Sequence, residues 1–307
     1  MRKLATLLGL AIVAAAPSTE ARQQLKLDPD LSEPLKAALQ IRAGVQPRLQ
    51  DAKPVGGAPV SIAENPWQVA IVYSTADEVT AFCGGSLVAE RWVVTAAHCI
   101  GKMRKTCYQV VAGAANLDMK NLARISIAEA YVYPSYRVAD VRGDEVQYDD
   151  IALLRLDGTP TGSIIPMAGQ VENDALKGTS ALFVTGWGAT DSRTRDADPA
   201  GGSRTLNGVA LLYVRPDDCA DPVSYGKAIT PQMLCAGHRD GGKDACNGDS
   251  GGPLSGKVGA APHLFGVVSW GRGCALPEKY GVYTRIAAFR GWIDQCLAGG
   301  ACPRKNA

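Results

Sequence analysis

The only long helical pattern in this chain lies near its C-terminus, where Phe289, Trp292, Ile293, Cys296 and Leu297 form one stripe before Gly299-Gly300 ends the run. From Val55-Gly56-Gly57 onward the texture is otherwise one of short apolar or alternating runs, such as Trp67 to Tyr73, Trp92 to Thr95, Ala181 to Thr185 and Leu264 to Trp270. Gly, Pro, Asn and Asp bound these runs, which is the pattern of many short strands joined by turns. The expectation is an all-β body with one terminal helix and no internal repeat. Asp191 to Arg204, rich in Asp, Arg, Gly and Ser, reads as an exposed loop.

The N-terminus has a different character. Met1-Arg2-Lys3 precedes an apolar run from Leu4 to Ala16 that ends in Ala14-Ala15-Ala16, which fits an export signal over residues 1–21 with cleavage between Ala16 and Ala21. At about 13 residues the run falls short of the roughly 20 needed to cross a bilayer. Residues 22–53 are mostly polar, carry one short amphipathic piece from Leu35 to Ile41, and read as a pro-segment; residues 54–307 form the folded domain. Nine cysteines, at 83, 99, 107, 219, 235, 246, 274, 296 and 302, suit an oxidising compartment, so a secreted or periplasmic protein without membrane attachment after signal removal is expected. No Cys-x-x-Cys pair occurs and there are three histidines, which leaves a zinc site few ligands. A net charge of +2 over 307 residues gives no basic stripe for nucleic acid.

A serine hydroxyl becomes a useful nucleophile only beside a base, and the base needs an acid to hold its tautomer and stabilise its cation. His98 lies in Thr95-Ala96-Ala97-His98-Cys99, after an apolar strand and among small residues, whereas His238 and His263 sit in polar or loop contexts. Ser250 lies in Gly248-Asp249-Ser250-Gly251-Gly252-Pro253, whose glycines permit a tight turn and close approach to main-chain N–H groups. Those of Gly248 and Ser250 are candidates for an oxyanion hole, in which one donor is worth about 3 to 4 kcal/mol. Asp150 opens the apolar run Asp150-Ile151-Ala152-Leu153-Leu154, a place for a partly buried acid beside the histidine.

These three blocks, in the order His, Asp, Ser, resemble the signature motifs of the chymotrypsin-like (trypsin-type) serine proteases. The resemblance runs from Val55 to the terminal helix and includes Cys83-Gly84-Gly85-Ser86-Leu87, Tyr133-Pro134-Ser135-Tyr136, Gly186-Trp187-Gly188 and Ser269-Trp270-Gly271. It implies two six-stranded antiparallel β-barrels with the active site between them, a C-terminal α-helix, and a monomeric enzyme that hydrolyses polypeptide substrates through an acyl-enzyme. It also implies disulfides joining Cys83 with Cys99, Cys219 with Cys235, and Cys246 with Cys274. A bridge between Cys296 and Cys302 would close the C-terminus and leave Cys107 over.

Asp244 stands six residues before Ser250, where the family places the floor of its specificity pocket, which implies cleavage after Arg or Lys. Ser269, Trp270, Gly271 and Gly281 would form the walls. Tyr280 stands where trypsins usually carry proline and some sodium-responsive relatives carry tyrosine, so a sodium response stays open. The family's activation cut frees an N-terminus whose ammonium pairs with the acid before the serine, here Asp249. The matching bond is Lys53-Pro54, and proline is the main departure, because its ring crowds the bond to be cut. Three readings follow: cleavage by a separate activating protease, a stably inactive precursor, or a non-catalytic binding protein on the same scaffold. No cofactor and no metal are expected, since Asp118 is the only acid in the Gly113 to Arg124 stretch where some relatives bind calcium. Arg193, Arg195 and Arg204 are candidate self-cleavage sites.

Overall fold

The computed structural model describes residues 56–74, 79–101, 108–119, 122–190 and 202–304, all within the unit Ala52–Ala307. The expected signal and pro-segment, the Leu35 to Ile41 piece, Pro54, Cys107, Arg193 and Arg195 lie outside the described residues.

The first barrel contains β2 (Gln68–Ser74), β3 (Val79–Ala89), β4 (Trp92–Thr95), β5 (Tyr108–Ala112), β6 (Arg124–Val132) and β9 (Ala152–Leu156). All pairings are antiparallel, and the strands close in the order β2-β3-β4-β9-β6-β5. Inside it Val69, Ile71, Leu87, Val93, Val110 and Leu153 are almost wholly buried. The second barrel is built from β10 (Ala181–Gly186), β11 (Asn207–Val214), β12 (Met233–Gly237), β13 (Pro253–Val258), β14 (Ala261–Trp270) and β15 (Gly281–Arg285), closed by the pairing of β11 with β12. The short β1 (Ala58–Pro59) adds to the outside of β11. Leu182, Leu211, Leu234, Leu254, Phe265 and Tyr283 fill this second interior.

Among the described residues α-helices are few and short, apart from the terminal one. They are α1 (Ala97–Gly101), α2 (Gln170–Asp174), α3 (Pro216–Cys219) and α4 (Ile286–Leu297). The stripe of α4 is buried as its spacing predicts, with Phe289, Trp292, Ile293 and Cys296 joining the core of the first barrel. Tyr133 meets Phe289 and Trp292 edge-on, at centroid distances of 4.9 and 5.3 Å, an arrangement that the ring quadrupoles favour. The last helix of the chain thus fastens its end to the first barrel. No helix among the described residues is long and apolar enough to cross a membrane.

Between β6 and β9 stands a separate hairpin, β7 (Arg137–Val141) with β8 (Asp144–Tyr148), turned by Arg142-Gly143. Both turn residues have positive φ, +59° and +82°, the geometry whose twist matches that of the strands it joins. Val146 of β8 is fully buried, but in a cluster with Tyr225, Tyr280 and Val282 of the second half of the chain. The hairpin therefore bridges from the first barrel to the second.

Among the described residues four disulfides are formed: Cys83–Cys99, Cys219–Cys235, Cys246–Cys274 and Cys296–Cys302. Closing loops of 16 residues, as the first two do, removes about 3 kcal/mol of denatured-state freedom in the chain-entropy picture. The loop read as exposed from Asp191 to Arg204 requires a correction at its end. Arg204 is half-buried, with Nε donating to Asp118 Oδ1 at 2.6 Å and a guanidinium nitrogen donating to the Val79 carbonyl. Its side chain is held by two partners, which argues against Arg204 as a cleavage site and accounts for Asp118 as a structural acid.

Candidate active site

Hydrogen bonds across the two barrels fix the site. Gly84 N donates to Ser250 O at 2.7 Å, Trp187 Nε1 to Ala115 O at 3.1 Å, and the buried Thr185 hydroxyl to Gln68 Oε1 at 2.5 Å. Along this seam runs a cleft of about 230 Å³, lined by His98, Ser250, Asp244, Trp270, Gly271 and Gly281 among others.

His98 sits in α1, just after β4, beside the Cys83–Cys99 bridge. Its Nδ1 lies 2.7 Å from Asp150 Oδ2, and its backbone N–H donates to Asp150 Oδ1 at 2.9 Å. Asp150 is 1% exposed and lies two residues before the start of β9. The preceding residue, Asp149, has φ +53°, a left-handed turn that swings the chain before the strand begins. Ser269 Oγ donates to Asp150 Oδ2 at 2.6 Å, and Thr284 Oγ1 donates to the Asp150 carbonyl at 2.7 Å. A buried carboxylate so surrounded has its desolvation offset by charge-assisted hydrogen bonds. Ser269, expected as a pocket wall, lines the cleft and also directs its hydroxyl at Asp150; nothing in a single serine of a strand end announces that second role. His238 and His263 do not line the cleft.

The serine loop is shaped by glycine. Gly248 has φ +96°, and a Cβ there would lie 2.9 Å from Gly188 Cα, so no other residue fits this turn without displacement. Asp249 as a whole is half-buried but its carboxylate is enclosed: it accepts from Gly188 N at 2.8 Å and Cys246 N at 2.9 Å, and a Cβ on Gly186 or Gly188 would overlap it. Burial pushes this carboxyl up to about 6, against the lowering effect of its two backbone donors. Beside it is a cavity of about 30 Å³, lined in part by Gly57, Gly186, Gly188 and Asn207.

Asp244 is 7% exposed at the base of the larger cleft. Its Oδ2 accepts from Ala275 N at 3.0 Å, while Oδ1 is buried without a hydrogen-bond partner among the described residues. Burial pushes its pKa up to about 7. A Cβ on Gly281 would stand 2.7 Å from Oδ1, so the missing side chain leaves the approach to that oxygen free. At Gly271, by contrast, a Cβ would meet only ordinary contacts, 3.6 Å from the Tyr225 hydroxyl and 3.7 Å from Tyr280 O. The two glycines of the pocket are therefore not equivalent. Tyr280 is buried, and its carbonyl accepts from the Tyr225 hydroxyl at 2.7 Å, which stiffens the wall. Trp270 packs edge-on against Tyr225, and Cys246–Cys274 joins the serine loop to this wall.

One group of possible metal-binding side chains occurs among the described residues, Cys83, His98 and Cys99, with ligand atoms within 4.8 Å of one another. The two sulfurs are bonded to each other, so the trio has no thiolates to offer and does not fit a metal.

Two antiparallel barrels, with a His–Asp pair from one and a glycine-bound serine from the other facing one cleft, define a chymotrypsin-like serine protease. Compared with known proteins, residues 54–293 match the Trypsin family. The chain is 36% identical over 247 residues to a vitellin-degrading protease of Bombyx mori, covering 80% of this chain and 86% of that one. It is 38% identical over 248 residues to transmembrane protease serine 11E of Mus musculus, covering 78% of this chain and 53% of that one. The chain belongs to the Trypsin family and is a serine endopeptidase acting on polypeptide substrates.

Proposed function

We propose a secreted or periplasmic, monomeric endopeptidase that cuts after Arg or Lys. The observation that carries the specificity is Asp244 Oδ1, a buried acceptor without a partner at the base of the cleft that Ser250 lines. A neutral side chain would leave that oxygen unsatisfied, whereas a guanidinium or ammonium supplies both a donor and the opposite charge. In this reading His98 takes the proton of Ser250 as the hydroxyl attacks the scissile carbonyl. Asp150 holds the imidazole tautomer with Nδ1–H toward itself and stabilises the cation that forms. The Gly248 and Ser250 N–H groups receive the oxyanion, and His98 returns the proton to the leaving amine. Water then repeats the sequence on the acyl-enzyme. Hydrolysis of matched peptide amides ending in Arg, Lys, Phe or Ala tests this: cleavage after Arg and Lys is expected, and a preference for Phe or Ala would overturn it.

Residues 1–21 serve as the export signal and 22–53 as a pro-segment, released by a separate protease at Lys53-Pro54. The freed prolyl amine is a cation that pairs with Asp249. The small cavity beside that carboxylate, with Gly57 in its wall, and a carboxyl raised by burial with only backbone donors among the described residues support this role. An ammonium there would draw the carboxyl back toward its ordinary range. N-terminal sequencing of the active form should read Pro54-Val55-Gly56; an active form that begins upstream sinks the assignment.

Ser269 acts as a positioning residue through Asp150. Ser269→Ala removes a hydrogen bond to a charged group, worth about 1.5–3 kcal/mol, and should lower kcat by about 10- to 100-fold with little change in KM. A change in KM alone would mark Ser269 as a pocket wall only.

A further inference from the structure

The hairpin β7–β8 places a second acid in the cleft. Among the described residues, Asp244 and Glu145 are the acidic side chains lining it, and no lysine or arginine lines it. The two differ in setting: Asp244 is buried, whereas Glu145 is exposed.

Glu145 is nevertheless held in place. Tyr136 Oη donates to Gln147 Oε1 at 2.8 Å, and Gln147 Nε2 donates in turn to Glu145 Oε1 at 2.8 Å. Gln147 is itself buried and shares the cleft wall. Beneath them Val146 is anchored in the second-barrel cluster. On the other side of Glu145, Asp144 accepts two hydrogen bonds from Arg272, the residue that follows the cleft-lining Trp270-Gly271. This ion pair engages the Arg272 guanidinium with Asp144, so it does not neutralise the Glu145 charge. The hairpin is thus fixed at its buried valine and at Asp144, with a cleft-lining carboxylate between them.

We propose that Glu145 is a specificity-determining residue that recruits a second cationic side chain, one to three residues before the residue seated on Asp244, so that the enzyme favours substrates with paired or closely spaced basic residues. This rests on the reading of Asp244 as the site of the first cation, because the substrate must be seated there for its preceding residues to pass the hairpin. An exposed carboxylate attracts a mobile side chain only modestly, which corresponds to about a three- to tenfold preference, weakened by salt.

The test uses the activated enzyme and peptide amides carrying Ala, Arg or Glu at each of the three positions before the cleaved residue. The series is made in parallel with Arg, Phe and Leu at the cleaved position. At one position the kcat/KM ratio of Arg over Ala should reach about three to ten, with Glu below Ala. That ratio should fall to about one in Glu145→Gln, invert in Glu145→Lys, and shrink in 1 M salt. A flat ratio in the wild type, or one that survives both substitutions, overturns the inference. Loss of cleavage in the Arg series alone would instead sink the reading of Asp244, and the ratio would then be read in whichever parallel series is cut.

Discussion

Ser250→Ala is expected to lower kcat on an arginyl peptide amide by about six orders of magnitude, the loss seen when a nucleophile that works as one unit with its base is removed. Gly84 N bonds the backbone carbonyl of Ser250, not its hydroxyl, and the Gly248 turn does not depend on the side chain. The variant should therefore fold and keep the Asp244 pocket, binding an alkylguanidine with a Kd close to that of the parent. His98→Ala should cost nearly as much as Ser250→Ala, and the double variant scarcely more than either, because each residue is useless to the reaction without the other. Residual activity within tenfold of the parent, measured on preparations free of contaminating protease, would sink the assignment of Ser250 as nucleophile. Additive losses in the double variant would show two independent contributions in place of a shared proton transfer.

Much of this arrangement is legible in the chain because short-range chemistry writes it. Strand runs are bounded by turn residues, and the stripe Phe289, Trp292, Ile293, Cys296 can bury only as a helix. The blocks holding His98, Asp150 and Ser250 carry small residues where backbone and side chains approach closely. The rest depends on partners distant in sequence. Ser269 reaches Asp150 across 119 residues, and Arg272 reaches Asp144 across 128. The local sequence marks Ser269 as a wall residue but not as a partner of Asp150, and Arg272 does not differ locally from a surface arginine. The hairpin from Arg137 to Tyr148 alternates only weakly, since its charged residues mask the one fully buried position, Val146. Arg204 is a similar case: its neighbours are those of an open loop, but its guanidinium is tied to Asp118 and Val79. A feature that consists of an ion pair or a hydrogen bond between barrels becomes visible only once the barrels are assembled.

Asp244→Asn should abolish most of the advantage of Arg and Lys substrates while making the empty enzyme more stable at neutral pH. In the complex, a buried guanidinium left facing a neutral amide loses about 3–5 kcal/mol, or roughly two to nearly four orders of magnitude in kcat/KM. In the free enzyme the same carboxylate is a cost. Its pKa is raised from 3.8 to about 7 by burial, so the folded protein holds this proton more tightly than the unfolded chain. Stability contributed by the protonated form is complete below about pH 4 and is lost as pH rises through about 7; the asparagine variant avoids that loss. A cationic ligand needs the ionised carboxylate, so its affinity runs the other way. Binding of an alkylguanidine to the Ser250→Ala protein should weaken nearly tenfold for each pH unit below about 7, and level off above it. In the Asp244→Asn, Ser250→Ala double variant this component should vanish. A wild-type pocket with constant affinity from pH 5 to 8 would mean that Asp244 is already ionised without its ligand. An asparagine variant that still prefers Arg by the original margin would remove Asp244 from substrate recognition altogether.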